Sequence, residues 1–159
     1  MLKVKLITVG NLKEEYLREA AAEYEKRLGA FCRFELVQLK EERLSEQPSA
    51  GEIRTALERE AQKISEQVSS SAYLIALCVE GKQLSSEELA EKIEAISMDK
   101  SEICLVIGSS YGLSDSVKQR ADIRLSVSKL TFPHQLMRVI LLEAIYRAFN
   151  IQRGTKYHK

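Results

Sequence analysis

The sequence predicts an α/β fold, a mostly parallel sheet with helices on both faces. Three observations carry that expectation. Strand-like and helix-like segments alternate five times along the chain, and the stretches between strands place apolar residues at helical spacing. The runs AYLIALCV and ICLVIG are continuously apolar rather than alternating, as strands covered on both faces must be. At 159 residues, with no internal repeat and no change of composition that marks a linker, the chain reads as a single domain over residues 1–159.

Each element has its own signal. Leu2 to Val9 alternates and stops at Gly10, after which Leu12, Tyr16, Ala20, Tyr24 and Leu28 recur on one helical face and Gly29 ends the helix. Phe31 to Leu39 is a second strand. The polar stretch KEERLSEQPSAG, with Pro48 and Gly51, is a loop leading to a charged helix from about Glu52 to Gln67. SAYLIALCVEG is the third strand, and SSEELAEKIEAI is a helix opened by a capping box from Ser85 to Glu88. ICLVIGSSYG supplies a fourth strand and a glycine-bearing turn before a short helix near Leu113 to Arg120. IRLSVS is the last strand. It runs through KLTF to Pro133, expected as the first residue of the final helix because its missing N–H would be unpaired there.

Composition narrows the function classes. Apolar residues make up 45% and charged residues 30% of the chain, the profile of an ordinary globular protein. A formal net charge of +1 lacks the basic surplus of a general nucleic-acid binder. The surplus is local: from Val117 to Lys159 there are nine Lys or Arg against two acids, leaving 15 against 21 in the remainder. Cys32, Cys78 and Cys104 are far apart and lie in apolar runs, with no CxxC pair and only two histidines in the chain, so they read as reduced core residues and no metal site is expected. The opening MLKVKLITVG lacks the plan of a signal peptide. The longest apolar run has eight residues, too short to cross a bilayer. A cytoplasmic protein without membrane contact is the expectation.

In open parallel sheets, ligands bind beyond the carboxyl ends of the strands, which singles out the turns after Val79, Ile107 and Val127. In GSSYGL, Gly108 lets backbone N–H groups approach a ligand and Gly112 supplies a positive φ. Neither GxGxxG nor GxxxxGK is present, so the dinucleotide and P-loop chemistries are unsupported, and on this segment alone a plain strand-to-helix turn is the favoured reading. SVSKLTF offers Ser126, Ser128 and Thr131 hydroxyls and backbone amides beside a helix start, where helix capping accounts for the same residues. His134 and Arg138, four apart, share a helical face and form a polar edge beside that turn; a capping histidine is the plainer alternative. The final helix is apolar almost all round, from Leu136 to Phe149. In so small a chain that calls for a partner, so a homodimer through this helix is expected. Glu143 and Arg147 are spaced to pair within or across it. The tail RGTKYHK interleaves an aromatic with cations, which suits phosphate attraction and base stacking as well as a solvated terminus.

These residues carry a resemblance. LSVSKLTFPHQLMRVILLEAIYRAFNIQRGTKYHK, CLVIGSSYGL and VKLITVGNLKEEYLREAAAEYEKRL together resemble the ribosomal RNA large subunit methyltransferase H family of the SPOUT superfamily, over essentially the whole chain. The most specific part is TFPHxxxR combined with IYRA and the terminal YH. The resemblance implies a SPOUT-type α/β knot, with a deep trefoil knot at the C-terminal end, and a homodimer that binds S-adenosylmethionine. It assigns cofactor contacts to Leu77, Gly108, Val127, Ser128, Lys129, Leu130, Thr131 and Phe132. The implied reaction is methylation of N3 of a pseudouridine in the helix 69 loop of 23S rRNA on the assembled 70S ribosome. His134, Arg138, Tyr157 and His158 are then the polar groups available for catalysis. Arg138 is expected to meet RNA or developing imide charge, and the Tyr157 and His158 tail to engage substrate. The chain departs from the family at Ser109, where the usual turn reads IGGS, and a positive φ there would introduce strain. Ala144 also stands where many relatives carry Gln. Two other readings are a SPOUT methyltransferase acting on tRNA, which the small size and YHK ending disfavour, and a non-catalytic dimeric nucleotide-binding module.

Overall fold

The computed structural model describes all of residues 1–159. Ten elements follow the predicted alternation: β1 (Lys3–Val9), α1 (Glu15–Leu28), β2 (Arg33–Leu39), α2 (Ala50–Gln67), β3 (Tyr73–Gln83), α3 (Ser86–Asp99), β4 (Glu102–Ile107), α4 (Asp115–Arg120), β5 (Ile123–Ser126) and α5 (His134–Gln152). Capping boxes open α2 at Ser49 and Glu52 and α3 at Ser85 and Glu88, satisfying N–H groups that a helix start leaves unpaired. Pro133 is the N-cap of α5, not its first helical residue. Its ψ of 134° is extended, and His134 takes the first helical position. A proline's fixed φ suits either place.

The five strands form one parallel sheet in the order β2-β1-β4-β3-β5. Side-chain alternation sorts each strand between two cores. Val4, Leu6, Ile75, Ile103 and Leu105 face the layer of α1, α3 and α5, where they meet Leu17, Ile93, Leu141, Leu142 and Ile145. Ile7, Val9, Leu74, Ala76, Cys104 and Val106 face α2 and α4, against Ala61, Ile64 and Val117. That two-sided burial is why the central strands read as unbroken apolar runs.

Strand order places the site. β4 lies inward of β3, toward β1, while the next strand, β5, lies outward of β3. The chain therefore changes winding direction there, and a crevice opens beyond the carboxyl ends of β4 and β5, beside the middle of β3. The β3–β5 ladder is itself broken: Leu77 and Lys82 both align with Leu125. Residues 78–81 bulge out between those two points. Gly81 closes the bulge where a Cβ would come within 2.8 Å of the Arg124 backbone.

Candidate active site

Three segments converge on a cleft of about 710 Å³: the turns after β4 and β5, and the bulge within β3, where a turn after Val79 was expected but the strand continues to Gln83. Leu77, Gly108, Val127, Ser128, Leu130, Thr131, Phe132 and His134 all line it. Its wall also includes Cys78, Tyr111, Lys118 and Met137, which the sequence reading did not single out. Tyr111 stood inside the GSSYG turn and was the one legible signal among them. Cys78, expected in the core, is half-buried at the cleft. Burial and the neighbouring Glu80 push its thiol pKa up, which keeps it protonated and a poor nucleophile. At the rim Lys118 pairs with Glu80 at 2.7 Å, and that bond holds the carboxyl of Glu80 below its ordinary range.

The turn after β4 is held tightly. Gly112 has φ +88° and its N–H donates to the Ser109 carbonyl at 2.8 Å. A Cβ on Gly108 would fall 2.2 Å from the Gly112 oxygen, so only glycine fits there. Ser109 does not have a positive φ, so the strain expected from replacing the family's glycine does not arise. Its side chain is buried and its hydroxyl donates to Glu60 Oε1 at 3.0 Å. After β5, the Ser126 hydroxyl donates to the Ser128 carbonyl at 2.9 Å, and Ser128 Oγ accepts from Leu130 N–H at 3.0 Å. These bonds shape the loop and leave the exposed Leu130 and Thr131 at the cleft.

Four expected site residues do not join this cleft within one chain. Lys129 is exposed and is not among the residues that line the cleft. Arg138, expected to share a polar edge with His134, is only 2% exposed. One turn further along α5 lies inside the core, and the guanidinium turns to donate to the Gly10 carbonyl at 2.9 Å and to Gln38 Oε1 at 3.3 Å. It pins the ends of β1 and β2 to α5. Tyr157 and His158 are half-buried against their own chain rather than frayed. Tyr157 Oη donates to Glu143 Oε2 at 2.7 Å, and its ring meets Tyr146 edge-on at 4.8 Å. His158 lies between Glu87 at 2.7 Å and Arg147 at 3.2 Å. Glu143, nine residues beyond His134, lies about 13 Å along the helix axis from the cleft mouth.

Glu143 also pairs with Arg147 at 2.6 Å within α5. Burial alone would raise its pKa, but hydrogen bonds from Tyr157, Tyr24 and Arg147 outweigh that, and the net direction is down. A carboxylate depressed in the folded state stabilises it above its unfolded pKa and loses that contribution as pH falls through the folded value. The docked tail is therefore expected to loosen only on the acid side of the ordinary carboxylate range. Tyr157→Phe should cost about 1 kcal/mol at neutral pH, or about 2–4 °C in melting temperature. The difference from wild type should vanish in acid. A loss that persists unchanged in acid would break the link to Glu143.

No helix is long and apolar enough to cross a membrane. A family model described as "Predicted SPOUT methyltransferase" matches residues 2–158. The chain is 48% identical over 159 residues to the ribosomal RNA large subunit methyltransferase H of Leuconostoc mesenteroides subsp. mesenteroides, covering 99% of this chain and 100% of that one. It is 50% identical over 159 residues to the protein of the same name from Bifidobacterium adolescentis, with the same coverage of 99% and 100%. Among solved structures, a probable methylase family protein from Haemophilus influenzae Rd KW20 aligns with a TM-score of 0.55 at 16% identity, over 99% of this chain and 70% of that one, a likeness of fold. Matched by the family model over residues 2–158 and by relatives over their full length, the chain belongs to the ribosomal RNA large subunit methyltransferase H family of SPOUT methyltransferases.

Proposed function

We propose that the protein methylates N3 of a pseudouridine in the helix 69 loop of 23S rRNA, on the assembled 70S ribosome, with S-adenosylmethionine as methyl donor. The observation that carries this reading is the meeting of the bulge within β3 and the turns after β4 and β5 in one cleft, in a chain whose full-length relatives bear the name of a large-subunit rRNA methyltransferase. The residues fit the donor. The cleft volume lies in the range of small-molecule sites, and its wall mixes apolar side chains such as Leu77, Val127 and Phe132 with hydroxyls and turn amides. Leu77, Gly108 and the segment from Val127 to Phe132, Lys129 included, would hold it. When bound, it supplies an electrophilic methyl group on a sulfonium.

His134 stands at the mouth of that cleft, within reach of a substrate base entering it. Its imidazole is the nearest ring nitrogen pair able to take or relay the N3 proton. Arg138 acts here from inside the core, by holding α5 and its His134 turn against β1 and β2. Tyr157 and His158 engage the RNA from the basic end of the chain, and α5 forms the homodimer. Leu136 is 38% exposed and Met137, Val139 and Ile140 are half-buried, an apolar face that a second copy would cover. The trefoil knot at the C-terminal end and a cytoplasmic location belong to the same reading.

The test is methyl transfer from labelled S-adenosylmethionine to assembled ribosomes, separated subunits, naked 23S rRNA and tRNA, all from cells lacking the gene, with the labelled nucleotide mapped. Label on one helix 69 pseudouridine in assembled ribosomes alone is the expected outcome. Label on tRNA would move the substrate, and an absence of donor binding would leave a dimeric nucleotide-binding module.

A further inference from the structure

Glu60, on α2, is 4% exposed and lies outside the residues that line the cleft. A buried carboxylate is costly unless its oxygens are hydrogen-bonded. Both are: Oε1 accepts from the Ser109 hydroxyl at 3.0 Å, and Oε2 accepts from the Glu42 N–H at 2.9 Å. The first partner belongs to the turn after β4 that walls the cleft; the second belongs to the loop after β2. Those two segments lie 49 and 18 residues away in the chain. The junction is reinforced on its outer side, where Lys63 pairs with Glu42 at 2.8 Å and Ser110 Oγ donates to Glu41 at 3.4 Å.

We infer that Glu60 is a positioning residue for the donor cleft, which acts through Ser109 to hold the Gly108–Gly112 turn in its binding shape. The inference rests on the reading that this cleft takes S-adenosylmethionine. A turn with glycine in place of Ser109 offers no hydroxyl for a carboxylate at position 60, so the serine is what allows α2 to grip the turn. Ser109 is itself buried, and its carbonyl accepts from Gly112 N–H at 2.8 Å. The grip is thus passed directly to the backbone that crowds Gly108. A preorganised wall binds its ligand more tightly because less ordering remains to be done on binding.

The experiment is calorimetric titration of S-adenosylmethionine into the full-length wild type, Ser109→Ala, Glu60→Ala, Glu60→Gln and the Ser109→Ala/Glu60→Ala double variant, with thermal melts alongside. Ser109→Ala and Glu60→Ala should each raise Kd about tenfold, the scale of one structured hydrogen bond. The double variant should be no weaker than Glu60→Ala, because both changes cut the same link. Glu60→Gln should stay within about threefold, since its amide can accept from Glu42 N–H and donate to Ser109 Oγ. Ser109→Ala, which removes a single oxygen, keeps the test open if Glu60→Ala does not fold. A lower melting temperature with unchanged Kd in Ser109→Ala would make the contact merely structural and overturn the inference, as would multiplying effects in the double variant. A wild type that does not bind the donor would overturn the reading beneath it as well.

Discussion

Gly108→Ala should weaken donor binding by about 100-fold or more while leaving a folded chain. The new Cβ would lie 2.2 Å from the Gly112 oxygen and 2.5 Å from its carbonyl carbon, both backbone atoms that cannot rotate away. Relief requires the turn to open by roughly 1 Å, the gap between that contact and the closest a real Cβ tolerates. The turn resists, since Gly112 N–H is bonded to the Ser109 carbonyl and Ser109 is tied to Glu60. The strain falls on a segment beyond the end of β4 rather than on the sheet, so stability should drop by about 1–3 kcal/mol, the usual cost of overpacking. Donor affinity, which depends on the shape of this wall, should fall by about 100-fold or more, because a displacement of about 1 Å in a positioning element is costly on that scale. Calorimetry with a thermal melt checks both numbers. A Gly108→Ala protein that binds S-adenosylmethionine within about threefold of wild type would falsify the assignment of this cleft.

The second large effect belongs to Arg138 and is one of stability. Its guanidinium is buried, donates to the Gly10 carbonyl and to Gln38, and has an Nε with no partner. Desolvation lowers its pKa, and the nearby Glu25 partly restores it. Arg138→Ala removes two hydrogen bonds and leaves a cavity the size of a long side chain, an expected loss of about 3 kcal/mol. For a chain of this length that is about 6–12 °C in melting temperature. Arg138→Met keeps much of the volume and abolishes the buried charge with its unsatisfied Nε. It should cost about 1 kcal/mol or less, as replacement of buried ionic groups by apolar ones often does. If Arg138 instead contacted RNA or the reacting base directly, both variants would melt like wild type and lose turnover equally.

The comparison of these two residues shows what a sequence can carry. The tight turn at Gly108 is legible because a continuous apolar strand, a glycine and a following helix start are neighbours in the chain, and the close approach there leaves no room for a Cβ. Gly112 is legible too: its positive φ was expected and is present. Arg138 was misplaced because its spacing from His134 states which face of a helix it shares, not how deep that face lies. Depth was set by β1 and β2, whose contacts with Arg138 span 128 and 100 residues. The tail suits phosphate attraction and base stacking or a solvated terminus by its sequence alone, and within one chain it is not frayed: Glu143, Tyr146 and Arg147 hold it against α5.

Local patterns therefore determined the elements themselves: the alternation of strands and helices, the capping box of α3, the buried character of β4 and of the first part of β3, and the turns after β4 and β5. Hydrophobic period and turn chemistry act over a few residues, and those few residues are written next to one another. The order β2-β1-β4-β3-β5, the broken β3–β5 register, the depth of Arg138 and the bond from Ser109 to Glu60 were decided only when the chain closed on itself. Each is a choice among long-range pairings that the same local pattern permits, and it is settled by which arrangement buries the apolar faces while leaving the fewest polar groups unpaired.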